Sequence, residues 1–115
     1  MSRLPTRVDT VFIPVKDLHR ARDWYRDHLG LPVQWETDGY VCLETGGTTA
    51  ITLAQAREVH PSPHPILNLF TPDIEPAHRA LSEQGLDTGL IQEASGVRWF
   101  TFSDPDGHLL GVCSW

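Results

Sequence analysis

The chain has 115 residues, 40% hydrophobic and 21% charged, which suits one small globular domain and argues against extended disorder. Nine basic against fifteen acidic side chains give a net charge of −6, the wrong sign for general phosphate-backbone binding and a mild preference for neutral or cationic small molecules. No apolar run approaches the roughly 20 residues that span a bilayer, and Met1 to Val8 is polar and contains a proline, unlike a signal peptide. The expectation is a soluble, cytoplasmic protein with neither nucleic-acid nor membrane partners.

The first element is a strand. Val11, Ile13 and Val15 alternate with Thr10, Phe12 and Pro14. Asp17 is placed to cap a helix running to about His28. Leu18, Ala21, Trp24, Tyr25 and Leu29 form its apolar stripe, and Gly30 stops it. Three short strands follow: Val33 to Thr37, Tyr40 to Glu44 and Thr49 to Ala54. Asp38-Gly39 and Gly46-Gly47 supply the turns between them.

The same order then recurs. Ile66 to Phe70 is an apolar strand, and Asp73 stands 56 residues after Asp17. Ile74, Ala77, Ala80 and Leu81 line a second helix that ends at Gln84-Gly85-Leu86. Strands are predicted at Thr88 to Glu93, Val97 to Ser103 and His108 to Ser114, with turns at Ser95-Gly96 and Asp104 to Gly107. The fold class is α+β: two tandem βαβββ modules, about 8–55 and 64–115, within one domain. A proline-rich linker, 56–65, separates them. Two curved mixed sheets, each backed by a helix, are expected to face one another around a cleft.

Cys42 and Cys113 are the only cysteines and form no CxxC pair. That count excludes a disulfide framework and a structural zinc site. Both read as small core residues.

Three segments together resemble the vicinal oxygen chelate superfamily of glyoxalases, bleomycin-resistance proteins and dioxygenases. They are Val15-Lys16-Asp17-Leu18, the helix end from Trp24 to Leu31, and Phe102-Ser103-Asp104-Pro105-Asp106-Gly107-His108. The resemblance spans residues 8 to 115 and implies the glyoxalase/bleomycin-resistance fold and a homodimer. The Asp104 to Gly107 turn and the Trp24-Tyr25 pair read as structural.

Chelating members of this superfamily hold a divalent metal on His and Glu side chains. Carried over by motif spacing, the four ligand positions fall on Thr10, Thr52, Ile66 and Gly111. None is a good ligand, so neither a metal nor another cofactor is expected. His60, His64 and His108 remain as donors for a displaced site, but they read as solvated surface groups. His19, His28 and His78 are placed on helix surfaces without a role.

Alternation from Thr10 and Gly111 puts Phe12, Asn68, Phe70, Leu109 and Cys113 in the cleft. The repeat adds Tyr40, Cys42, Trp99 and Thr101. Trp35 lies on a neighbouring strand whose parity the sequence leaves open. Tyr40, Trp35 and Trp99 read equally as pocket walls or as packing. Asn68 reads as a ligand contact or as a buried amide needing partners. Glu44 is an acid at the cleft mouth or a solvated strand end. Trp115 is an edge or dimer contact rather than a ligand group.

The leading expectation is a metal-free small-molecule-binding protein with an aromatic-lined cleft. One alternative is a glyoxalase- or dioxygenase-like enzyme with a displaced or absent metal. Another is an accessory protein whose cleft is filled. No Gly-x-Ser-x-Gly elbow or Walker-type loop is present.

Overall fold

The structure is a computed structural model describing residues 3–115. The chain divides into two compact units, one ending at Val59 and the other His60–Trp115.

The first unit contains β1 (Thr10–Val15), α1 (Leu18–Leu29), β2 (Val33–Glu36), β3 (Tyr40–Leu43) and β4 (Ala50–Gln55). The sheet order is β1-β4-β3-β2, with β1 parallel to β4 and the other pairs antiparallel. Pro14 is tolerated because β1 is an edge strand. Ile13, Val15, Val41, Leu43, Ile51 and Leu53 are buried together with Leu18, Ala21 and Tyr25 of α1. They form the core on the helix side of the sheet.

Asp17 caps α1 as the sequence predicts: its Oδ1 accepts from the Arg20 N–H at 3.1 Å. Gly30 ends the helix at φ 70°, a backbone state that glycine adopts without steric cost, and donates to Arg26 O at 3.0 Å. Trp24 is half-buried and meets fully buried Tyr25 edge-on, with ring centroids 4.9 Å apart. On the exposed side of α1, hydrogen bonds from Arg26 hold the Asp27 carboxyl below the ordinary carboxylate range.

The second unit contains β5 (Asn68–Phe70), α2 (Ile74–Glu83), β6 (Gln92–Ala94), β7 (Val97–Ser103) and β8 (Leu109–Ser114). Its order, β5-β8-β7-β6, repeats the first, again with the outer pair β5 and β8 parallel. Phe100, Phe102, Leu110 and Val112 are buried with Ile74 and Leu81 of α2. Two mixed four-stranded sheets and two helices therefore make an α+β fold with no closed barrel.

Several local expectations need correction. The fifth strand begins at Asn68 rather than Ile66, although the Ile66 N–H still donates to Leu109 O at 2.9 Å. The strand predicted over Thr88 to Glu93 reduces to Gln92–Ala94 plus one bridge, Thr88 to Phe102. There the Gly89 N–H donates to Thr101 O at 2.7 Å while His78 Nε2 lies 2.8 Å from the Gly89 carbonyl oxygen, so the segment is held by single contacts to β7 and α2 rather than by a continuous ladder. His78 also meets Phe100 edge-on, so it packs against its sheet rather than standing idle on a helix surface.

His108 is buried, not solvated, and precedes β8. The Asp104 carboxylate accepts from the N–H groups of Asp106 and His108, at 3.0 and 2.8 Å, and draws that residue inward. Gly107 completes the turn at φ 84°. Asp73 repeats the position of Asp17 but makes no side-chain cap; Thr71 Oγ1 accepts from its N–H instead. Cys42 is buried as expected, whereas Cys113 is half-buried.

Candidate functional site

Each sheet has one face packed by a helix and one free of it. The register identifies the helix-free face of the first unit. Phe12 pairs with Thr52, Thr52 with Cys42, and Cys42 with Trp35, giving one row across all four strands. Tyr40 and Ala54 lie in the row on one side, and Thr10 and Ala50 in the row on the other.

A break in the β2–β3 register between Val33 and Trp35 decides the parity that the sequence leaves open. Val33 pairs with Leu43 and Glu36 with Val41, both on the helix side. Glu36 accordingly reaches Arg22 of α1, 2.8 Å away. The extra residue places both Gln34 and Trp35 opposite Cys42. Gln34 Oε1 accepts from the Cys42 thiol at 3.4 Å, which puts that side chain on the helix-free face.

Three large aromatic side chains stand out of the core on this sheet: Phe12 is 64% exposed, Tyr40 47% and Trp35 45%. Phe12 and Tyr40 meet edge-on at 6.3 Å. Beside Phe12 lies a hydroxyl pair. Thr10 Oγ1 and Thr52 Oγ1 are 2.7 Å apart, and Thr10 also donates toward Ala50 O at 3.1 Å. Thr52 is buried, so its hydroxyl relies on that partner.

In the second unit the row equivalent to Phe12–Thr52 is Asn68–Gly111–Thr101, flanked by Phe70, Cys113 and Trp99. Phe70 is exposed and packs on Trp115, with ring centroids 5.0 Å apart. Trp99 and Thr101 are half-buried. Asn68 is exposed, contrary to its reading as a buried amide. Its carboxamide lies over Gly111, inside the space that a Cβ would need, with Asn68 Cγ 3.1 Å from that position. A Cβ at this position would have to displace that exposed, flexible amide.

The family model described as Glyoxalase/Bleomycin resistance protein/Dioxygenase superfamily matches residues 7–112. The chain belongs to this superfamily. Solved structures agree on the fold. TnmS3, an antibiotic-binding protein from Streptomyces sp. CB03234, is 24% identical with a TM-score of 0.84, over 96% of this chain and 97% of that one. A member of the superfamily from Sphaerobacter thermophilus is 25% identical with a TM-score of 0.81, over 96% and 98%. Lactoylglutathione lyase from Agrobacterium tumefaciens is 16% identical with a TM-score of 0.79, over 96% and 94%. No curated protein matches the sequence.

The superfamily's divalent metal can be tested against the residues at its four positions. Thr10 and Thr52 spend their hydroxyls on each other. Ile66 has no donor, and Gly111 is covered by Asn68. This set does not fit a divalent ion, which takes imidazole, carboxylate or several oxygen ligands. Among the described residues no group of three His, Cys, Asp or Glu side chains is placed to hold a metal. No helix among them is long and apolar enough to cross a membrane.

Sequence reasoning missed Gln34, because no sequence signal marks the bulge that turns it onto the face. It also missed Thr45, Thr48 and Thr49, which with Gln34, Glu44 and Ala50 line a cavity of about 330 Å³.

Proposed function

We propose that this superfamily member binds a small aromatic molecule without a metal, holding it on the helix-free face of the first unit's sheet. The carrying observation is the exposure of Phe12, Trp35 and Tyr40 on one sheet. Aromatic side chains in strands ordinarily pack into the core. Three of them left in solvent, beside a few neutral polar groups, form the surface that ring-shaped ligands favour. Asn68, Phe70, Trp99 and Thr101 give the second unit a comparable but more polar face. That TnmS3 is an antibiotic-binding protein agrees with a binding role in this superfamily. In this reading the protein works in the cytoplasm as a homodimer, and its partner is a small molecule rather than nucleic acid or membrane.

The test is metal content of the purified protein, followed by titration of tryptophan fluorescence with aromatic compounds in the presence of a chelator. Saturable quenching that persists with chelator and falls in Trp35→Phe supports the proposal. Stoichiometric bound metal, or quenching abolished by the chelator, would overturn it in favour of an enzyme with a displaced metal site.

A further inference from the structure

The cavity beside the aromatic face is polar where that face is apolar. Glu44 lies two residues beyond Cys42, and its N–H donates to Pro32 O at 2.8 Å, continuing the β2–β3 ladder. Its backbone thus stands about 7 Å along the strand from the row that contains Trp35. Gln34 and Ala50 border the same cavity, which places it at the Glu44 end of the helix-free face.

Most polar groups there are already engaged. The Thr45 hydroxyl donates to Thr49 O and accepts from the Gly47 N–H. The Thr49 hydroxyl donates to Val8 O at 2.8 Å. Arg7 reaches Thr48 O at 3.3 Å but is paired with Asp9 at 3.7 Å. Glu44 differs: among the described residues its carboxylate has no hydrogen bond and no ion pair, and the Thr48 hydroxyl likewise has none. This open pocket therefore offers a solvent-exposed carboxylate and a hydroxyl that have no protein partner, while the Gln34 carbonyl oxygen is taken by Cys42.

One carboxylate is too few for a hard divalent ion, which needs six or more oxygens. It does suit an ammonium or guanidinium group, for which a carboxylate and a hydroxyl are natural acceptors. A volume of about 330 Å³ is at the small end for ligand pockets, so it admits a head group and not a whole drug-sized molecule. We propose that this cavity is a subsite for an organic cation whose ring, about two strand residues away, lies on Trp35. The ligand class is an aryl-alkyl ammonium or guanidinium compound. This rests on the small-molecule reading above and adds the charge and length of the ligand.

The probes are 2-phenylethylamine, charged at pH 7, and its neutral analogue 2-phenylethanol. Both are titrated by two-dimensional amide NMR at low salt, on wild type, Glu44→Gln and Trp35→Phe. The expected result is a threefold to fivefold preference for the amine, as a part-exposed ion pair gives about that factor. Its largest shifts should fall on the Gln34, Glu44 and Thr48 amides and the Trp35 indole. Glu44→Gln should remove the preference by weakening the amine more than the alcohol. Trp35→Phe should weaken both. Equal binding of the two probes, or a preference that survives Glu44→Gln, overturns the subsite and leaves the aromatic-ligand reading standing. No binding of either probe, together with no quenching by any aromatic compound, overturns both.

Discussion

The Asn68 carboxamide fills the space in front of the Gly111 Cα, so these two residues are one sterically coupled unit across the β5–β8 pair. Gly111→Ala would place a methyl group against the amide, while Leu67 O, 3.4 Å away, is at ordinary contact distance. The amide is the far end of a flexible side chain and can turn aside at modest cost. A loss of about 1 kcal/mol is expected, the low end of overpacking. Asn68→Ala in the same chain should restore much of it, giving a coupling energy of about 0.5–1 kcal/mol in a denaturation double-mutant cycle. Additive effects would show that Asn68 is free to swing away and does not specify the glycine.

Thr10 and Thr52 make the corresponding connection in the first unit, through a hydrogen bond rather than a steric fit. Thr52→Val keeps the shape and removes the buried hydroxyl. Thr10 retains Ala50 O as an acceptor. The expected cost is about 1 kcal/mol, the usual net worth of one such bond. Thr52→Glu, which restores a superfamily-type carboxylate, should destabilise more, because that group is charged and the site is buried. Urea melts of both variants, with and without divalent ions, check this. A Thr52→Glu chain that is stabilised by a divalent ion would mean that a latent chelate remains.

The repeat was readable because it is written in residues whose physics is local. Asp17, Gly30, Ser95-Gly96 and Asp104 to Gly107 each act within a few residues, and the structure shows Ser95 and Gly96 both at positive φ as a tight hairpin turn requires. Alternation puts Phe12, Asn68 and Phe70 on one face of their strands for the same reason, and the repeat adds Tyr40. What escaped depends on distant partners. The shortened β6 goes with a His78 contact to Gly89, 11 residues on and across a turn. The bulge at Gln34 inserts a residue without any glycine or proline to mark it, and it alone decides that Trp35 and Gln34 share a face.

On α1, the lowered Asp27 carboxyl gives a pH dependence of known sign. Its side chain accepts from Arg26 at 2.8 Å, which favours the charged form in the folded state. A carboxyl with a depressed folded value contributes stability above its unfolded value and loses it as pH falls through the folded one. Asp27→Asn should therefore lower the melting temperature slightly at neutral pH, and the difference should vanish in acid below the ordinary carboxylate range. Because the pair is exposed, added salt should shrink the difference too. A difference that grew with acidification would assign the opposite role to the charge.

The Asp104 turn separates structure from function most directly, since it carries the residues by which the superfamily is recognised. Asp104 is buried, and its Oδ1 accepts from two backbone N–H groups while its own N–H donates to His108 O at 3.0 Å. Asp104→Ala leaves the buried His108 N–H without that acceptor, and a loss of about 1–3 kcal/mol is expected. Asp104→Asn keeps a carbonyl oxygen in the same place and should cost about 1 kcal/mol or less. Both variants, studied at a temperature where they remain folded, should quench with aromatic compounds as the wild type does. The turn orders the entry to β8, while Phe12, Trp35 and Tyr40 belong to the other unit. Loss of ligand binding in folded Asp104→Asn would instead bring the carboxylate into the binding chemistry.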